Sequence, residues 1–222
     1  MKLDKKKLKR IKGDASFRVF YRKKGLKKNS IIVYSKKEKL KNLLIYDSIN
    51  RLLIKNKILA PKLYSEKYKM NYMEIEDFGD ETVYKVLKKK NNLFQEYKKT
   101  INLLNKIQLI KEKKIKNFKN KNYKIPQYNY DILFKETELF CDWYVKKKIL
   151  GYKKTNLNIL LKKQIKILIS KLKLKNNTFV HRDFHVSNIM KVNKKYALID
   201  NQDALIGNKA YDLASLIDDV RF

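Results

Sequence analysis

Between Phe179 and Met190 the chain reads Phe-Val-His-Arg-Asp-Phe-His-Val-Ser-Asn-Ile-Met, and ten residues past Met190, after Ala197-Leu198-Ile199, comes Asp200. His181-Arg182-Asp183, four intervening residues and Asn188 have the spacing of a loop that transfers a phosphoryl group. In such a loop the Asp accepts the proton of an attacking hydroxyl and the Asn helps to hold magnesium. Asp200, 17 residues after Asp183 at the end of an apolar run, has the position of a second magnesium ligand. Each residue type answers a physical need. Charge develops on phosphate oxygens during transfer, hard oxygen ligands suit Mg²⁺, and a fixed carboxylate orients the acceptor hydroxyl with little motion. His181 is expected to brace the loop by hydrogen bonding rather than to carry a proton. A metal-ligating reading of His181-x-Asp183-x-His185 also exists, because alternate residues of an extended segment point the same way. These are the only two histidines in the chain, so a His-rich transition-metal set is hard to complete.

The elements that must position these groups are legible as periodicities. Residues 17–21 and 30–34 are short β-branched or aromatic runs separated by a polar stretch containing Gly25, which predicts a hairpin. Apolar residues at helical spacing predict a helix over 40–58, with Pro61 beyond its end, and alternation predicts a strand over 69–75. The polar break Glu76-Asp77-Phe78-Gly79-Asp80 is the best hinge candidate. Helices are then expected over 81–89, 93–110, 131–150 and 157–172, with a polar loop over 111–127. Short strands follow over 178–180, 189–192 and 196–199, and a last helix over 211–219. Strands first and helices later indicate an α+β fold of two lobes, a β-rich N-lobe to residue 78 and a mostly helical C-lobe from residue 79.

The chain has 222 residues, 44% of them apolar, enough for a substantial core and too many for a peptide hormone or a disulfide scaffold. Lys and Arg total 55 against 22 Asp and Glu, a formal charge of +33, and only six of the 55 are Arg. Residues 176–222 hold six basic and six acidic side chains, so the charge lies upstream of the candidate chemistry. A balance this basic binds polyanions at low salt. Yet no zinc knuckle, paired Cys/His spacing or RNA-binding aromatic motif is present, and the arginine favoured for base and phosphate contacts is scarce. A lysine- and asparagine-biased composition explains the charge, and no specific nucleic-acid partner is expected. The single cysteine, Cys141, forms no internal disulfide and points to a reducing compartment, where a buried, inert thiol is expected. The charged first ten residues lack the apolar stretch of a signal peptide, and no run approaches the roughly 18 apolar residues of a membrane span. A cytoplasmic protein without membrane association, acting as a monomer, is the expectation.

On these residues the chain resembles the aminoglycoside phosphotransferase and choline kinase superfamily, relatives of the protein kinases that phosphorylate small molecules. Asp200-Asn201-Gln202-Asp203-Ala204-Leu205-Ile206-Gly207 and Tyr211-Asp212-Leu213-Ala214-Ser215-Leu216 resemble one branch more closely, the bacterial N-acetylmuramate/N-acetylglucosamine anomeric kinases of cell-wall sugar recycling. Gly13-Asp14-Ala15-Ser16-Phe17-Arg18 and the block from Glu136 to Tyr144 match the same branch, so the likeness runs from about Gly13 to the end. It implies a two-lobed protein-kinase-like fold, ATP and Mg²⁺ as cofactors, and phosphoryl transfer to the C1 hydroxyl of an amino sugar. By position it makes Asp183 the base, Asn188 and Asp200 the magnesium ligands and Asp212 a brace for the catalytic loop. Glu76, Asp77, Phe78 and Gly79 become the hinge whose backbone meets adenine. Glu136, Glu138 and Trp143 become part of the sugar pocket, with His185, Gln202 and Asp203 on the acceptor side. For Trp143, packing is an equal expectation to sugar stacking.

The departures are specific. No G-x-G-x-x-G precedes the first hairpin, which leaves Gly13, Ser16 and neighbouring backbone N–H groups as the phosphate cover. No lysine can be singled out as the phosphate-binding one, since Lys36 and Lys37 follow the 30–34 run in a lysine-saturated chain. Arg18 could supply that charge, solvent exposure being the plainer expectation. Neither D-F-G nor A-P-E follows, which argues against a protein kinase. Family members continue with a largely helical stretch, so a shortened C-lobe is expected. Aminoglycosides or choline are alternative acceptors, and a basic, catalytically inactive kinase-like binding protein is the non-enzymatic alternative.

Overall fold

The structure, a computed structural model, describes residues 8–11, 17–26, 28–89, 93–148 and 153–219. The first lobe is a five-stranded antiparallel sheet in the order β1-β2-β3-β5-β4, built from β1 (Leu8–Ile11), β2 (Val19–Lys23), β3 (Ser30–Tyr34), β4 (Leu63–Lys67) and β5 (Tyr72–Glu76). β3 reads Ser-Ile-Ile-Val-Tyr and its first four residues are buried, which is why the central strand is a continuous apolar run rather than an alternation. Against one face lies a wider π-type turn (Leu40–Ile45) that runs directly into α1 (Tyr46–Lys55). Leu43 and Tyr46 pack there on Ile31, Val33, Met73 and Ile75. The helix ends at Asn56 and the left-handed Lys57 (φ 59°), three residues earlier than its periodicity predicts.

Other boundaries also differ from expectation. β2 lies two residues later than the predicted run, and residues 69–70 belong to a turn that reverses the chain at left-handed Asn71 (φ 65°) before β5 begins. β1 and β4 were not predicted. Leu-Lys-Arg-Ile and Leu-Tyr-Ser-Glu-Lys are short, largely polar edge strands, and charged edges are what protects a sheet from pairing further.

The second lobe carries α2 (Val83–Lys89), α3 (Phe94–Gln108), a small hairpin of β6 (Lys114–Lys116) and β7 (Asn122–Lys124), and α4 (Tyr130–Leu139). The hairpin replaces the expected polar loop over 111–127, with Ile115 opposite Tyr123 and both turned to the core. α4 continues through a π-type turn (Phe140–Val145) into the short α5 (Lys146–Lys148), and α6 (Lys153–Lys171) follows. Then come β8 (Thr178–Val180), the hairpin of β9 (Ile189–Val192) and β10 (Lys195–Leu198), β11 (Leu205–Gly207) paired with β8, and α7 (Tyr211–Ile217). β11 was missed because three residues, Leu-Ile-Gly, carry no period.

One apolar cluster crosses between the lobes: Ile49, Leu52 and Leu53 of α1 share it with Leu104 and Ile107 of α3 and with Phe179, Ile189 and Leu198 beside the loop over 181–188. The backbone adds a stitch, since Leu198 N–H donates to the Leu59 carbonyl at 2.8 Å. Cys141 is fully buried. No helix among the described residues is long and apolar enough to cross a membrane.

Candidate active site

The loop between β8 and β9 is held from below. Arg182 takes a left-handed conformation (φ 75°), which turns the chain sharply and aims two successive backbone N–H groups the same way. Both donate to Asp212 at the start of α7: His181 N–H to Oδ2 at 2.7 Å and Arg182 N–H to Oδ1 at 2.9 Å. Asp212 is fully buried, and that burial pushes its carboxyl above the ordinary range against the pull of the two amides. The buried His181 ring has both nitrogens engaged. Nε2 lies 2.7 Å from Asn201 Oδ1 and 3.1 Å from the Ile199 carbonyl, both acceptors, so Nε2 carries the proton and Nδ1 accepts from Asp183 N–H at 3.3 Å. A ring used in this way does not ligate a metal, which removes the His181-x-Asp183-x-His185 metal reading.

Asp183, Asn188 and Asp200 line one cleft between the lobes, a cavity of about 680 Å³. Burial raises the Asp183 carboxyl above its ordinary range, and the Asp200 and Asp203 carboxylates add to this. The Asn188 amide nitrogen donates to the Asp183 carbonyl at 3.2 Å and lies 3.1 Å from His185 Nε2, which turns its amide oxygen to the cleft. Asp200 follows β10 in a left-handed conformation (φ 64°) and accepts from Arg18. Two oxygen donors from protein would suit Mg²⁺, an ion that takes few protein ligands and keeps several waters. No group of three His, Cys, Asp or Glu among the described residues forms a self-sufficient metal set.

Arg18 is 6% exposed, which corrects the expectation of a solvated side chain. Its guanidinium lies 5.3 Å from the ring centres of both Phe20 and Tyr46, and Nη1 donates to Gln202 Oε1 at 2.5 Å. Burial carries the Tyr46 hydroxyl up to about 12, so it stays neutral beside the arginine. Lys41, from the π-type turn ahead of α1, meets Asp203 Oδ1 at 2.7 Å, and Gln202 Nε2 donates to Asp203 Oδ2 at 2.7 Å. At the other end of the cavity Glu76, Asp77, Phe78 and Gly79 line the wall, beside Ile31, Ile75 and Met190. Gly79 sits at φ 82°, a region that glycine enters without strain. Gly13 and Ser16 lie outside the described residues.

The residues proposed for the sugar side separate. Glu136 accepts from Arg182 and from the Tyr128 hydroxyl, which sets it against the catalytic loop. Glu138 instead meets Lys162 of α6 at 2.5 Å, and Trp143 is 62% exposed with Lys147 over its ring. None of the three, Glu136 included, lines this cavity or a smaller one of about 410 Å³ beside Asp183, which His185, Tyr211 and Asp218 help to form. The geometry explains the split: two residues advance a helix by about 200°, and the π-type turn over Phe140–Val145 rotates Trp143 off the Glu136 face. Packing does not describe Trp143 either. Asp80, the last residue of the hinge candidate, also lines the large cavity, as do Arg22 and Lys41, which were missed. Lys41 is one lysine among 49 and gave no signal. Arg22 gave one: arginine is scarce here, and four of the six, Arg18, Arg22, Arg51 and Arg182, form ion pairs with carboxylates.

A sheet-capped cleft floored by a His-Arg-Asp loop, with an Asn and a strand-terminal Asp facing its interior, defines the kinase-like class of fold. The chain belongs to the phosphotransferase enzyme family (APH), whose model matches residues 7–222. It is 34% identical over 98 residues to the N-acetylmuramate/N-acetylglucosamine kinase of Neisseria meningitidis serogroup B, covering 43% of this chain and 28% of that protein. With the protein of the same name from Pseudomonas putida it shares 25% identity over 209 residues, 93% of this chain and 58% of the relative. The chain thus spans less than two thirds of the length of these relatives. Among solved structures it is similar to choline kinase LicA from Streptococcus pneumoniae, with a TM-score of 0.62 and 14% identity over 95% of this chain and 68% of that one. A thermostable mutant of aminoglycoside phosphotransferase APH(4)-Ia gives a TM-score of 0.65 at 12% identity, over 93% of this chain and 70% of that one. These two likenesses establish the fold.

Proposed function

We propose that this chain is the nucleotide-binding and catalytic part of an ATP-dependent small-molecule kinase. Its acceptor is the anomeric hydroxyl of N-acetylmuramate or N-acetylglucosamine, and its setting is the cytoplasm, where ATP is supplied. The observation that carries this reading is the shared cavity of Asp183, Asn188, Asp200 and the 76–79 segment. The lobes meet at Phe78 and Gly79, and the backbone of residues 76–78 receives the adenine, the Gly79 N–H being held by Asp77. Asn188 and Asp200 would hold Mg²⁺, which supplies charge neutralisation on the phosphates.

Asp183 takes the proton of the acceptor hydroxyl as its oxygen bonds to the γ-phosphorus, while the bond to the β-phosphate oxygen breaks and ADP leaves. Its raised carboxyl is suited to that task, because a base works best when its pKa approaches the operating pH. His181 and Asp212 hold the loop and do not exchange the proton. Arg18 supplies the positive charge on the phosphate side, where a guanidinium offers more directed donors than a lysine would. Glu136 acts through Arg182, and the acceptor occupies the smaller cavity beside His185 and Asp183. The family relatives named N-acetylmuramate/N-acetylglucosamine kinase support the sugar assignment.

An ADP-release assay over amino sugars, with aminoglycosides and choline as comparators, tests it. Release stimulated by N-acetylglucosamine or N-acetylmuramate, with an acid-labile sugar 1-phosphate as product, is expected. Stimulation by choline or an aminoglycoside alone would overturn the acceptor assignment.

A further inference from the structure

Along β2 and the residue just before it, the side chains of residues 18, 20 and 22 fall on one face, as a period of two requires, and all three line the large cavity. Arg18 faces Asp200 at one end, Phe20 lies between, and Arg22 reaches the hinge at the other. Arg22 makes five hydrogen bonds there. Nε and Nη2 form a fork on Asp77 at 2.6 and 3.0 Å, Nη1 meets both oxygens of Asp80 at 2.9 and 2.8 Å, and Nη2 also donates to the Gly79 carbonyl at 2.9 Å. Asp77 is turned back on the same loop, its Oδ1 accepting Gly79 N–H at 2.8 Å. Every residue from 77 to 80 except Phe78 is therefore tied to one guanidinium.

We propose that Arg22 is a positioning residue for the nucleoside: by clamping residues 77, 79 and 80 to the roof of the cleft, it holds the hinge backbone in the shape that receives the base. This rests on the nucleotide reading of the cleft given above. A loop held in its bound shape before the ligand arrives loses less freedom on binding, which is gained as affinity. The planar fork that meets two carboxylates at once is a property of arginine that lysine's single ammonium does not reproduce. The role also differs from that of a cation attracting phosphate. Arg22 acts at the far end of β2 from Arg18 and its charge is already met by two carboxylates, so its effect falls on the nucleoside and not on the phosphate chain.

Calorimetric titration of the full chain with adenosine and, separately, with Mg·ADP distinguishes these. Arg22→Ala and Arg22→Lys are expected to weaken both ligands by the same factor, about tenfold. Lys23→Ala serves as the control, because Lys23 is the next residue of β2 and pairs with Glu74 at 3.0 Å on the neighbouring strand; it should leave both affinities unchanged. The clamp is overturned if Arg22→Lys keeps full affinity, if Mg·ADP weakens while adenosine does not, or if Lys23→Ala weakens binding as much as Arg22→Ala. Unchanged binding in both Arg22 variants of a wild type that takes up Mg·ADP would refute the clamp alone. Absence of uptake by the wild type would sink both the clamp and the kinase reading.

Discussion

Asp183, on the loop after β8, and Asp212, at the start of α7, are both raised by burial, yet their surroundings assign them different work. Asp183 opens on the cavity, whereas Asp212 has its two oxygens spent on the His181 and Arg182 amides. Those bonds fix a left-handed turn at Arg182, a non-glycine residue that would not hold it unaided. Asp212→Asn puts an NH₂ where one backbone N–H needs an acceptor. It is expected to cost about 1–3 kcal/mol of unfolding free energy, read from urea midpoints at an unchanged m-value. A variant as stable as wild type would mean that the loop is held by something else. At this scale the sequence was informative where spacing is strict: Asp183, Asn188 and Asp200 sit five and 17 residues apart, and the cavity gathers all three. It was uninformative where a partner comes from far along the chain. Lys41 meets Asp203 across more than 160 positions, and although the block around Asp203 stood out, no local pattern marks Lys41 as its partner.

The turn Asn201–Asp203 is where α1 takes hold of the catalytic region. Asn201 Nδ2 donates to Asn50 Oδ1 at 2.8 Å, and Lys41, just ahead of α1, holds Asp203. Burial alone would raise the Asp203 carboxyl, but Lys41, Gln202 and Arg182 outweigh it and leave it below the ordinary range. A carboxyl depressed in the folded state contributes stability that is present above its unfolded value and is lost as pH falls through its folded value. Lys41→Met removes the main depressing partner. It should lower stability by less than about 1 kcal/mol near neutrality, with the gap from wild type closing as the pH drops below about 4. Thermal melts across that range check this, and a gap that widens in acid would contradict it. Elements with a long period, such as α1 and α3, and the apolar β3 were legible. β4 and β11 were not, because each is defined by the strand beside it rather than by its own residues. The π-type turn after α4 had no signal in the pattern of apolar positions, and it is what carries Trp143 away from Glu136.

Across the whole molecule, the formal charge of +33 hides a local inversion. The cleft gathers Asp77, Asp80, Asp183, Asp200 and Asp203, and the cations that reach it from the first lobe, Arg18, Arg22 and Lys41, each hold one or more of these carboxylates. Net charge therefore says little about the ligand, and the pairing inside the cleft says more. The two-lobed α+β arrangement was legible from the order of strands and helices. The continuity of the core from α1 to the strands around the catalytic loop was not, because it depends on which apolar faces meet. That continuity sets a sheet of one lobe and a loop of the other on opposite sides of a single cavity. The account stands on Asp183 acting at the terminal phosphate of a bound nucleotide. Its most direct test is phosphorus NMR of Mg·ATP with the responsive amino sugar, comparing wild type with Asp183→Asn while Mg·ADP affinity is titrated in both. Sugar phosphate should form with wild type and fall at least about 100-fold in the variant, with ADP bound equally well by the two. Equal turnover in the variant, or a loss of turnover matched by a loss of ADP binding, would contradict it.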